Sequence, residues 1–177
     1  DYILGRTPDR SGLTLTIDEL PESDAAGKEN SYQNGVQCTL NKKLITNSLN
    51  VVFDLLNRSG SRSLVTEISD FLMLAVYRSF RILHGANEKN QPAMFKLNRL
   101  TAHPYSAAMM QVCQANAEQI AAGKPAEGMD TIAHPEALQI STESLGRDYP
   151  LFATSLLNLV NNAEKRVLSV RSAGEHK

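Results

Sequence analysis

Tryptophan is absent, and aromatic residues make up only 6% of the 177-residue chain. A core must therefore be assembled mainly from Leu, Val, Ile, Ala and Met, which suits packed helices. Cysteine is scarce, with only Cys38 and Cys113. Two cysteines give no disulfide framework, so ordinary thiols in a reducing cytoplasm are expected. The longest apolar run, Phe71 to Val76, falls far short of the roughly 20 residues that cross a bilayer, so no membrane partner is expected. No basic stretch followed by an apolar one opens the chain, so no secretory leader is expected. An excess of one charge is also missing: 18 Lys and Arg face 19 Asp and Glu. That excludes a chain whose overall charge draws it to polyanions.

The motifs of catalysis are missing as well. HExxH, HxxxH and CxxC do not occur, nor do the P-loop, GxGxxG or GxSxG patterns. His84, His103, His134 and His176 stand apart, with no Cys, Asp or Glu at metal-ligand spacing. Gly5 and Gly12 flank an Arg-rich turn, but one such turn makes no phosphate cradle. Neither enzymatic activity nor a metal or other cofactor is expected, and the class that remains is a binding protein.

What is present is a chain of ordinary globular composition, 42% apolar and 21% charged, long enough for one domain. Leu13, Leu15 and Ile17 alternate with Thr14 and Thr16, as a short strand would. Thr16 and Glu19 equally have the spacing of a capping box, and both readings stay open. Residues 21–37 are polar and contain Gly27 and Gly35, so a long mobile loop is expected. Residues 1–36 are thus taken as an irregular acidic segment, and 37–177 as a helical bundle domain.

The first clear helix is expected from Lys42 to Arg58, because Ile45, Leu49, Val52, Phe53 and Leu56 share one face. Gly60 supplies its stop. A second is expected from Arg62 to His84, burying Leu64, Ile68, Phe71, Leu72 and Ala75, widened by Val65, Val76, Phe80 and Leu83. Glu67, Asp70, Arg78 and Arg81 fall on the opposite face, which is read as solvated. Pro92 suits the first turn of a short helix to Leu100. His103-Pro104 is expected to break the chain and start a helix to Ala122, ended by Gly123 and Pro125. One turn can follow Pro135. Asp148 is expected to cap a last helix that carries Pro150 in its first turn and closes at Gly174. The sum is an all-α fold of four long helices and a short one.

Charge is unevenly spread. Arg78, Arg81, Lys89, Lys96 and Arg99 crowd between residues 71 and 103 against Glu88 alone, while residues 1–36 and 104–150 are acidic. Tyr77, Phe80 and Phe95 interleave with the bases. Grooves that bind single strands combine positive charge with such aromatics. A solvated rim around core aromatics would give the same pattern.

Three stretches, "EISDFLMLAVYRSFRILHG", "AMFKLNRLTAHPYSAAMMQV" and "LFATSLLNLVNNAEKRVL", resemble in pattern and order the small subunit of type I-D CRISPR effector complexes. In that family the small subunit matches the C-terminal helical domain of the large subunit and can arise from an internal start. The missing initiator Met is in keeping with such a product or a fragment. The resemblance implies a non-catalytic subunit that stacks with copies of itself and other effector-complex proteins. It also implies support of the guide–target duplex or the displaced DNA strand through phosphate contacts. The residues expected to make them are Arg78, Arg81, Lys96 and Arg99, followed by Arg58 and Arg62. The acidic N-terminal part departs from a strong autonomous DNA binder. The other reading of the same charge alternation is a protein–protein adaptor without a nucleic-acid role.

Overall fold

The computed structural model describes residues 26–175. The fold is all-α, with no strand among the described residues. Helix α1 spans Ala26–Ser59, α2 Arg62–Gly85, α3 Arg99–Ala121, α4 Thr142–Asp148 and α5 Ala153–Glu175, with 3-10 turns at Pro92–Met94 and Pro135–Leu138. Four long helices and one short one are present, as expected. The short one, however, is α4. The expected helix from Pro92 is a single 3-10 turn followed by extended Phe95.

Three further boundaries differ for identifiable reasons. Helix α1 begins at Ala26, not Lys42, so residues 26–37 are helical where a loop was expected. That stretch has no apolar stripe, and Gly27 and Gly35 read locally as breakers. Helix α3 starts at Arg99 because the Asn98 side chain accepts the Thr101 N–H at 2.9 Å. Pro104 then sits inside the helix, where its ring leaves the Leu100 carbonyl without its usual donor. Asp148 ends α4 and does not cap α5, which opens at Ala153 and runs past Gly174 to Glu175. The strand or capping box expected around Leu13–Glu19 lies outside the described residues.

Two compact units are formed. One comprises Asp54–Gln139; the other comprises the described residues up to Phe53 together with the described residues from Ile140. In the second unit Val51, Leu145 and Ala153 are buried. There the Asn47 side-chain amide donates to Ser155 Oγ at 3.0 Å, tying α1 to α5. Beyond Leu159 every described residue of α5 is exposed.

The Asp54–Gln139 unit is built on α2 against α3. Its buried residues are Leu56, Leu64, Ala102, Cys113 and Ile120, with Ser59, Ser61 and Ser106. Small residues on α3 let the polar face of α2 approach, so this face is half-buried as well, while of the expected stripe Leu64 is buried and Ile68, Phe71, Leu72 and Ala75 are half-buried. Glu67 accepts from the Asn116 amide at 3.3 Å, and Arg78 donates to Ser106 Oγ at 2.6 Å. The face read as solvated therefore packs on α3. The distal part of the stripe read as buried is open instead: Val76 is 69% exposed and Leu83 71%.

The N-terminal end of α2 is clamped. Ser61 caps it by accepting the Leu64 N–H at 3.0 Å. Asp130 accepts from Ser61 Oγ at 2.6 Å and from the N–H groups of Ser63 and Arg62 at 3.0 and 3.1 Å. Those hydrogen bonds, led by the Ser61 hydroxyl, hold its carboxyl down to about 2. Gly60 adopts φ 70°, and a Cβ there would come within 2.9 Å of Ala133 and His134.

Candidate nucleic-acid interface

At the other end of α2 the chain turns through Gly85–Asn98 and returns as α3. The turn is held by local hydrogen bonds. The Asn90 amide donates to the His84 carbonyl at 2.9 Å, and the Lys89 N–H donates to Asn87 Oδ1 at 2.9 Å. Phe95 packs edge-on to His84, with ring centroids 5.0 Å apart, and to Tyr77 at 6.3 Å. This aromatic cluster pins the returning segment to the last turns of α2.

Between the helix ends lies a cavity of about 600 Å³. Arg78 and Arg81 reach it from α2, Lys96 from the connecting segment and Arg99 from the first residue of α3. Among the described residues Glu88 is the only carboxylate in the lining. No ion pair joins any of these four cations to an acid among the described residues.

The four differ in how they are held. Arg78 Nη1 donates to Ser106 Oγ and to the His103 carbonyl. Arg81 Nη1 donates to Tyr77 OH at 2.8 Å and to the Leu97 carbonyl at 3.1 Å, and its guanidinium lies 4.1 Å from the Phe95 ring centroid. Both side chains are thus fixed at one nitrogen and stiffened before any ligand arrives. Lys96 and Arg99 are exposed and make no side-chain hydrogen bond among the described residues. The Arg99 guanidinium lies beside the C-terminal end of α2, 3.9 Å from where a Gly85 Cβ would be.

The two remaining expected contacts stand apart. Arg58 pairs with Asp54 at 2.9 Å. Arg62 opens α2, about 24 Å along the helix from Arg78 at 1.5 Å per residue. Of the interleaved aromatics, Tyr77 and Phe95 line the cavity and Phe80 does not, although it packs on Phe95. Lys89 does not line it either. Ser106 and Ala102, which the sequence did not single out, lie in the lining, as does His84, which it set apart from any site. The spacing of Ala102 and Ser106, four apart and small, is the signal that could have placed them under a close helix contact.

Cys113 is fully buried. Burial first, then the negative charge of Glu67, raises its thiol pKa, so it stays protonated and inert. Among the described residues no group of three His, Cys, Asp or Glu could hold a metal ion. No helix of the described residues is long and apolar enough to cross a membrane. No family model, curated protein or solved structure matches this chain.

Proposed function

We propose that this chain is a non-catalytic helical subunit that contacts the phosphate backbone of nucleic acid through the cavity at the α2–α3 end. One observation supports the reading above others. Arg78, Arg81, Lys96 and Arg99, drawn from two helices and their connection, share one concavity with a single acid, Glu88. Like charges gathered in a cleft repel one another, and an anion bound among them relieves that cost. Arginine forks suit phosphate oxygens. Such contacts position a partner and read no bases.

The assembly comes from the sequence resemblance alone. It supports the small subunit of a type I-D CRISPR effector complex, cytoplasmic, set among copies of itself and other effector-complex proteins. The guide–target duplex or the displaced strand would then supply the phosphates. A second reading, a protein–protein adaptor, is favoured by the open apolar face of α2, where Met73, Val76 and Leu83 are exposed. The two readings part on purification of the chain with its partners from its native host. A particle holding one discrete RNA and several copies of the chain supports the effector subunit. A particle of proteins without nucleic acid contradicts it and leaves the adaptor.

A further inference from the structure

We infer that the cavity takes a terminal phosphoryl group, a phosphomonoester dianion, in preference to a run of internal phosphodiesters. This rests on reading the cavity as a phosphate-contacting surface and narrows what that surface accepts.

The cavity is closed on one side. Ala102 is 2% exposed and Ser106 8%, and both line it where α2 meets α3. A strand end can enter such a recess by one path. A strand that continues in both directions must bend in and out again, at a conformational cost.

The donors point the same way. Arg78 and Arg81 each commit Nη1 to the protein, while Nε and Nη2 have no protein partner among the described residues. Lys96 and Arg99 add further uncommitted donors. A diester in a backbone offers two non-bridging oxygens and one negative charge. A monoester offers three oxygens and a charge of about −1.5 to −2 at neutral pH. Four cations opposed, among the described residues, only by Glu88 match the dianion better than the diester.

Size and wall chemistry agree. A volume of about 600 Å³ lies within the range of small-ligand sites, about 300–1,000 Å³. Tyr77, His84 and Phe95 in the wall give an aromatic surface for the group that carries the phosphate. The phosphorylated end of a nucleic-acid strand and a free nucleotide present the same chemistry.

The test uses the full chain and single DNA strands of one sequence, carrying a phosphate at the 5′ end, at the 3′ end or at neither, with a nucleoside monophosphate as competitor. A phosphorylated strand should bind about tenfold more tightly than the unphosphorylated one. The preference should vanish in the Lys96→Ala/Arg99→Ala variant, whose circular dichroism should match the parent because neither side chain bonds to the protein. Displacement by the monophosphate at concentrations near the strand's own dissociation constant would assign the site to free nucleotides. A persistent preference without such displacement would assign it to strand ends. Equal binding of all strands, weakened by the variant, overturns the terminal-phosphate inference and leaves the backbone reading intact. Binding of no strand and no nucleotide overturns both.

Discussion

The two ends of α2 treat polar side chains in opposite ways. At the N-terminal end the capping groups are committed: Ser61 caps the helix, Asp130 takes three donors, and the Ser59 carbonyl accepts from the N–H groups of Ala133 and His134 at 2.9 and 3.1 Å. At the C-terminal end four cations face a cavity with one acid, and two of the four make no side-chain hydrogen bond, among the described residues. Satisfied polar groups hold a fold together, whereas uncommitted charges gathered in a cleft are available to a ligand. The contrast is what supports placing the proposed contact at one end of this helix, which its net charge alone does not.

The sharpest way to break the comparison is at the clamp. Gly60→Ala puts a side chain into the left-handed region and against Ala133 and His134. We expect a loss of about 2–3 kcal/mol in urea unfolding followed by helical circular dichroism, with nucleic-acid binding by the folded fraction unchanged. A loss under about 0.5 kcal/mol would mean that the clamp does not bind the loop to the helix.

Arg78→Ala tests the overlap between the two ends. Its bonds to Ser106 and the His103 carbonyl tie α2 to α3, so stability should fall by about 1 kcal/mol, partial exposure reducing the value of a charged hydrogen bond. Binding should weaken in the same variant. Arg78→Lys should keep charge yet lose the fixed fork, recovering affinity only in part.

Acid should loosen the clamp. The Asp130 carboxyl lies near 2 in the fold, below its ordinary 3.8. Its contribution is therefore complete above pH of about 4 and is lost as pH falls toward about 2. Hydrogen exchange of the Ser61–Leu64 amides should accelerate across that window, and Asp130→Asn should remove most of the dependence. An Asn variant that keeps the parent's acceleration as pH falls would contradict the account.

The smallest effects on stability belong to open surfaces. Val76→Ser with Leu83→Ser should change unfolding free energy by no more than about 0.5 kcal/mol, because both side chains are mostly exposed. Lys96→Ala and Arg99→Ala should behave likewise in unfolding while reducing binding. A large destabilisation by either pair would show those side chains to be structural.

Helix existence was legible in the sequence, as were the stop at Gly60, the start of α2 at Arg62, and the gathering of bases between Arg78 and Arg99. Helix orientation was only partly so. The apolar spacing of α2 marks Val76 and Leu83 as core, yet small Ala102, Ser106 and Cys113 on α3 admit the polar face as well. Periodicity on one helix cannot show the size of residues on its neighbour. The early start of α1 was hidden because residues 26–37 carry no stripe. Proximity of Lys96 and Arg99 to Arg78 and Arg81 depends on the turn at Gly85–Asn98, whose hydrogen bonds are set by Asn87, Asn90 and Asn98 and leave no periodic trace.

The central claim is that cations at the open end of α2 bind phosphates. The most direct test is the salt dependence of DNA binding by the parent chain and by Lys96→Ala/Arg99→Ala. Counterion release makes the logarithm of affinity fall linearly with the logarithm of salt, by about 0.7–0.9 in slope for each phosphate neutralised. The account predicts a measurable slope in the parent that shrinks by about 1.4–1.8 in the double variant, at unchanged helix content. An identical slope in both proteins would contradict it.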